Sequence, residues 1–490
     1  MQHSLLLQTF RTLTRYERNE LRKMVASPFF NRRDDVSRLF EFLCSRVPES
    51  KPGREMPADI SKTETWQYVF AENLPDPQRA YDDEAVRYAM SFLFRIIKDY
   101  LAYTRWKGDE SGPGRYLCRA LRERGLMRVF EREYAALQEQ EHKTVRRSAD
   151  WFLNQYQIRL EYREFFSGDG HRESPTPSEV NEPFEAFVAS SVLRQACALL
   201  ALPGEKERVE TIAYLPATLA AAENGRFDHQ PAVLAWFHCF RIISGGSEAE
   251  AHFAAQKKLL ETHWQSFPGH ETRDLYVAAI NFCIRRLNAG AREYVHEALS
   301  LYRIGLERKT ILEDGRLNKY TYNNIMLLAI AAGEWEWARQ FLDDFRVLLP
   351  RGDRESAFHY NLAIYFFRKK DFGQAQETLR EVEFRDIFYN LDARRMLVRI
   401  YFDSGEVAAL ESLLDSFNMY IRRKRASIDY HKELNSNFIR FTKKLIRLEP
   451  GDDASAKRLY EKIRAEKYVA EREWLLQKVD MSAETKHAAL

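Results

Sequence analysis

Cysteine is scarce in this 490-residue chain and poorly placed for chemistry. The five, Cys44, Cys118, Cys197, Cys239 and Cys283, are scattered, odd in number and without CxxC or Cys/His ligand spacing. That excludes a disulfide framework and a zinc site of ordinary pattern, and leaves buried thiols in a reducing compartment. Long apolar runs are missing as well. In residues 1–10 only Leu5, Leu6 and Leu7 are continuous, too short for a signal-peptide core, and no stretch approaches the roughly 20 apolar residues of a membrane helix. The expected location is the cytoplasm. Nor is there an excess of one charge: 75 basic against 72 acidic side chains give a formal +3. A balance that close argues against nucleic acid or membrane as a partner of the whole surface, so any electrostatic role is local. Catalytic signatures are absent too. HExxH, a Gly-rich phosphate loop, GxSxG and a paired Cys/His nucleophile are not found. The 12 histidines are dispersed, and His238 beside Cys239 forms no pair, because neighbours on a helix point about 100° apart. No catalytic, cofactor-binding or metal residues are therefore assigned, and a non-enzyme is expected.

What is present is helical periodicity from end to end, with almost no period-two alternation. An apolar fraction of 45%, with 32 Phe and 24 Tyr, suits a packed interior, and 30% charged residues suit helices with a solvated face. Thr14 and Glu17 have capping-box spacing before an amphipathic segment that Ser27 and Pro28 end near residue 26. Further helices are expected at 34–47, 63–70 and 83–106, the last burying Val86, Ala89, Phe92, Leu93, Ile96, Ile97 and Tyr100. Residues 108–114, GDESGPG, read as a linker, and residues 167–183, rich in Pro, Ser and charge, as an exposed loop. Between and beyond them helices come in pairs: 116–124 with 126–140, a longer one at 148–166, then 184–200, 212–223, 231–243, 248–264, 275–287 and 291–308. One helix is expected over 454–479.

Three stretches repeat a single design. Tyr322, Ile325, Met326 and Ala329 precede Gly333, then Ala338, Leu342 and Phe345. His359, Leu362, Ala363 and Phe366 precede Lys370, then Ala375, Leu379 and Val382. Arg394, Leu397, Val398 and Tyr401 precede Gly405, then Leu410, Leu414 and Phe417. Tyr322, His359 and Arg394 start equivalent units, 37 and 35 residues apart. A helix pair cannot bury its apolar stripe alone, so it stacks on a copy of itself, with small residues where helices cross closely. The pattern resembles the tetratricopeptide repeat, from which Lys370 and Leu410 depart. The resemblance implies an all-α fold, a right-handed superhelix of helix pairs, with a small helical N-terminal domain in front. It also implies a concave groove lined by the first helix of each pair: Tyr320, Asn323 and Asn324; Tyr360, Asn361 and Ile364; Arg395, Arg399 and Phe402. Asn can clasp a peptide backbone and Arg can fork onto a carboxylate. Some members grip a terminal carboxylate with a Lys/Asn/Arg clamp. Here only Asn361 falls on a clamp position, with Leu327 and Met396 replacing the other expected residues, which speaks against that clamp. The plainer alternative is that these side chains bond neighbouring helices or water.

The order of SPFFN at 27–31, Leu39-Phe40, Tyr68-Val69-Phe70 and Ser91-Phe92-Leu93 resembles the opening of a group of all-helical Bacteroidetes proteins, over about the first hundred residues, and implies no activity. Near the other end, residues 421–447 hold nine basic and two acidic side chains. Arg440, Lys443, Lys444 and Arg447 share helical spacing and form one stripe, with Arg422, Arg423, Lys424 and Arg425 upstream. Such a stripe suits phosphates or an anionic surface. The alternative is a solvated face paired with acids such as Glu461, Glu466 or Glu471. The expected organisation is a helical N-terminal domain at 1–107, degenerate helix pairs at 115–310, clear repeats at 311–420 and basic C-terminal helices at 421–480. The expected function is a scaffold that holds a protein or peptide in the groove; nucleic-acid or anionic-surface binding through the stripe is the alternative.

Overall fold

A computed structural model describes residues 4–48, 60–70, 81–109, 111–166, 176–204, 206–380, 386–423, 425–449 and 452–484. Among them are 24 α-helices, and the only β-type contact is an isolated bridge between Glu313 and Arg316. No helix among these residues is long and apolar enough to cross a membrane. The chain forms two compact units, Met1–Val188 and Ala189–Leu490.

The first unit opens with α1 (Leu5–Thr12), α2 (Arg15–Ala26), α3 (Asp34–Arg46), α4 (Lys62–Phe70) and α5 (Asp83–Lys107). The capping box is formed in full: Thr14 Oγ1 accepts from the Glu17 N–H, and the Glu17 carboxylate accepts from the Thr14 N–H at 2.8 Å. Leu7, Phe10, Leu21, Phe40 and Leu93 are fully buried in the core these helices share. Arg18, itself buried, donates to the carbonyls of Phe10, Leu13, Val47 and Pro48. One guanidinium thus satisfies orphan carbonyls at the C-terminal ends of both α1 and α3.

α6 (Gly112–Glu123), α7 (Met127–Lys143), α8 (Ala149–Phe166) and α9 (Pro177–Leu200) follow. The stretch 108–114 differs from the expected linker. Ser111 and Gly112 are buried, α6 has already begun at Gly112, and Ser111 Oγ donates to the buried Glu141 carboxylate at 2.5 Å. A Cβ on Gly114 would lie 2.8 Å from Leu137 Cδ1, so α6 and α7 approach closely here and a larger residue would make the Leu137 side chain shift. Glu161 of α8, 4% exposed at its side chain, sits between Arg119 at 2.6 Å and Arg122 at 2.7 Å.

Residues 176–183 correct the expected loop, whose earlier part, 167–175, lies outside the described residues. They are helical because Thr176 and Glu179 form a second capping box, with Pro177 at the first helical position. Pro183 lies inside the helix and cannot donate to Glu179 O. Arg159 donates to that carbonyl instead, at 2.6 Å.

The second unit continues from within α9 through α10 (Lys206–Val209), α11 (Leu215–Glu223), α12 (Pro231–Ser244), α13 (Ala249–His263), α14 (Gly269–Asn288) and α15 (Tyr294–Glu307). The clear repeats are α16 (Lys319–Ala331) with α17 (Trp335–Phe345), α18 (Arg354–Arg368) with α19 (Phe372–Arg380), and α20 (Ile387–Asp403) with α21 (Val407–Arg423). Consecutive helices pack as pairs from α12 to α21. Tyr322, Ala338, Ala363, Ala375, Val398 and Leu414 have no exposed surface, whereas Phe345, His359, Leu362, Phe366, Arg394 and Leu397 are half-buried and Val382 lies outside the described residues. The turn within each repeat is also the same: Gly333, Lys370 and Gly405 have φ of 80°, 63° and 72°. Lys370 therefore adopts a left-handed conformation that favours glycine.

α22 (Arg425–Ile446), α23 (Asp453–Ala465) and α24 (Arg472–Glu484) end the chain. The single helix expected over 454–479 is two. Residues 466–471 contain no Gly or Pro to announce a break, but α22 captures them: Ala470 N–H donates to Leu434 O at 3.2 Å, and Asn437 Nδ2 donates to Tyr468 O at 2.8 Å. Glu471, at φ 52°, makes the turn into α24.

Candidate functional site

The first helices α16, α18 and α20 carry all nine side chains expected to line a groove, and the structure places them in three different situations. On α16, Tyr320 is 53% exposed, Asn324 is exposed and hydrogen-bonds Tyr302, and Asn323 is half-buried. Beside them Lys319 Nζ lies 2.8 Å from Asp386 and 3.4 Å from Asp353, over the rings of Tyr320 and Tyr389. The hydrogen bonds from Lys319 and from the Tyr389 and Phe388 N–H groups hold the Asp386 carboxyl below its ordinary pKa, against the burial that opposes them.

On α18 the three expected residues face inward. Tyr360 stacks on Tyr389 with centroids 4.0 Å apart and 12° between planes, and its hydroxyl donates to Asp392 at 2.7 Å. Burial pushes both phenols well above their usual range. Asn361 has no exposed surface and donates to Ala357 O at 2.7 Å, while Ile364 is buried. On α20 the positions are covered by the chain's own C-terminal helices. Arg395 donates to Asn435 of α22 at 2.9 Å, pairs with Asp392, and lies 3.5 Å from Glu471. Arg399 reaches Glu471 at 2.7 Å, Phe402 lies edge-on to Trp474 at 5.3 Å, and Lys478 pairs with Asp403 at 2.7 Å. Burial lowers the pKa of the Arg395 guanidinium, with Glu471 opposing. Trp474, Leu475 and Val479 of α24 are buried in the same core as Val398, Phe417 and Phe438.

Hydrogen-bond bookkeeping distinguishes this face from the rest of the repeats. Asn323 Oδ1, Ser356 Oγ, Asn361 Oδ1, the Tyr389 hydroxyl and the Nε atoms of Arg395 and Arg399 are buried without a hydrogen-bond partner, and all lie on α16, α18 or α20. Among the described residues, the second helices α17, α19 and α21 carry no such atom. Buried polar atoms left unsatisfied cost about 1–3 kcal/mol each, and natural proteins hold few of them.

Two of the four stripe residues on α22 are neutralised. Arg440 pairs with Glu466 at 2.6 Å and Lys443 with Asp415 at 2.5 Å. Lys444 and Arg447 are exposed and meet no carboxylate within 4.0 Å among the described residues. Arg422 and Arg423 are exposed; Lys424 and the side chain of Arg425 lie outside the described residues. No group of three or more His, Cys, Asp or Glu suited to a metal is present among the described residues.

Comparison of the chain with protein-family models, with curated proteins and with solved structures finds no match.

Sequence reasoning missed the residues that close α20. Trp474 was not singled out, and Glu471 was named only as an acid for the basic stripe, whereas it meets Arg395 and Arg399 of α20. His252 was also missed: its Nδ1 lies 2.9 Å from that of His238, so His238 pairs across the α12–α13 hairpin, while the adjacent Cys239 is buried.

Proposed function

We propose that this protein is a non-enzymatic scaffold whose first-helix face, centred on α16 and α18, holds a segment of another protein or a peptide. The observation that supports this reading is the exposure of Tyr320 and Asn324 on the first helix of the first clear repeat, beside the half-buried Asn323 with its unmet Oδ1. An extended chain supplies one backbone donor and one acceptor per residue, which the exposed Asn324 amide and Tyr320 hydroxyl can meet. The α20 part of the face is served by α22 and α24, so the partner is engaged before it. An array built in the right-handed sense of the tetratricopeptide repeat presents these helices on its concave side. Binding of nucleic acid or an anionic surface by the stripe has only Lys444 and Arg447 free of acid partners in its favour, and is the weaker reading.

The test is affinity purification of the tagged chain under nuclease treatment, followed by the Tyr320→Ala/Asn324→Ala variant. A stoichiometric protein that wild type retains and the variant loses at least tenfold, at unchanged helical content, is the expected result. Retention unchanged by the variant removes α16 from the binding face, and nucleic acid as sole companion redirects attention to Lys444 and Arg447.

A further inference from the structure

His238 on α12 and His252 on α13 face one another, Nδ1 to Nδ1, at 2.9 Å. Two like nitrogens at that separation share one hydrogen: one ring donates its N–H and the other accepts with its lone pair. The ring centroids are 5.2 Å apart, and Phe237 packs against both, at 5.2 and 5.4 Å. One added proton leaves an N–H···N bond intact. A second leaves two N–H groups pointing at each other, with no acceptor and two positive charges.

We propose that the His238–His252 pair is an acid-operated latch on the α12–α13 hairpin, closed while either ring keeps a lone pair at Nδ1 and opened by the second proton. The surroundings oppose charge. Burial, then the neighbouring imidazole, push His238 down to about 4. Burial, then Arg241, lower His252, while Glu248 opposes them. Arg241 stacks over Phe237 and pairs with Glu223 of α11. His252 also lies one turn into α13, near the positive end of its dipole. On the neighbouring α14, Arg286 is paired with Glu250 of α13 and Arg285 donates to Ile242 O of α12.

The sign follows from linkage. Both rings are held neutral in the folded hairpin and titrate normally once it opens, so the closed form has its full advantage above pH ~6.5 and loses it as pH falls toward the lowered values. For His238 alone, with a folded value of about 4, the open form gains on the order of 30-fold between pH 7.5 and pH 5. The hairpin packs on α14 through α12 and α13, so its opening loosens the array at that point.

Hydrogen exchange of the full chain, corrected for intrinsic rates, tests this at pH 7.5, 6 and 5. Peptides from 231–263 should lose protection at least roughly tenfold over that range, while peptides from 335–345 keep theirs. In the His238→Asn/His252→Asn variant, whose amides bond without titrating, the loss should vanish. Equal loss in both segments of the wild type, or an unchanged pH dependence in the variant, overturns the proposal. Should the variant not fold, the comparison of the two wild-type segments decides.

Discussion

Asn323 of α16, Tyr360 of α18 and Arg395 of α20 occupy one repeat position, 37 and 35 residues apart, and meet different surroundings. Arg395 is bonded to α22 and stands against Glu471, which Arg399 also holds. Tyr360 is satisfied one repeat along, by Asp392 and the stacked Tyr389. Asn323 Oδ1 has no partner. The difference lies in cover: α22 and α24 close over α20, whereas Tyr320 and Asn324 of α16 stay exposed, and unmet buried polar atoms occur on both helices. Under the proposed function, the cover at α20 serves stability and the exposed side chains of α16 serve recognition.

The comparison breaks most visibly if the cover is cut. Trp474→Ala removes a side chain that is 6% exposed, and should cost about 3–5 kcal/mol in urea unfolding of the second unit. Tyr320→Ala, at an exposed site, should change the same measurement by no more than about 0.5 kcal/mol; similar losses from both would erase the distinction between the two faces. Next in size, Arg395→Ala leaves Asp392 without its guanidinium partner, and Glu471 with Arg399 alone, and should cost roughly 3 kcal/mol. A loss below about 1 kcal/mol would mean that the cover is held by Trp474 and its apolar neighbours alone.

Asn361→Leu sharpens the contrast from the other side. It deletes one hydrogen bond together with an orphaned acceptor at similar volume, so stability should stay within about 1 kcal/mol of wild type, and partner retention should be unchanged because Asn361 has no exposed surface. A fully stable variant that binds normally would assign Asn361 to packing. The smallest effect is expected at the turn between α18 and α19. Lys370→Gly relieves a left-handed residue at φ 63° and should stabilise by up to about 1 kcal/mol; destabilisation would show that the Lys370 side chain contributes more than its backbone costs.

Local signals read well wherever the deciding contacts are local. The Thr14/Glu17 box, the stop at Ser27, the long α5 and the helix pairs from α12 to α21 follow from spacing and capping that lie within one or two turns. Where reading failed at 176–183, the capping box of Thr176 and Glu179 was legible but outweighed by proline and serine content, and its consequence at Pro183 was completed by Arg159, far along the chain. The break at 466–471 had no local mark. The nine positions expected to line a groove came from the repeat resemblance, which could not say that Asn361 is fully buried or that Arg399 is bound by Glu471.

By itself the sequence determined that the chain is helical, that its helices pack as consecutive pairs, and which helix face carries the polar positions, because each depends on residues three or four apart. Only the tertiary structure decided which of those positions are covered, which acids neutralise Arg440 and Lys443, that two histidines meet, and where the last helix breaks. Those outcomes depend on contacts between residues dozens of positions apart, and a hydrogen bond or ion pair across such a separation leaves no periodic trace in the chain that forms it.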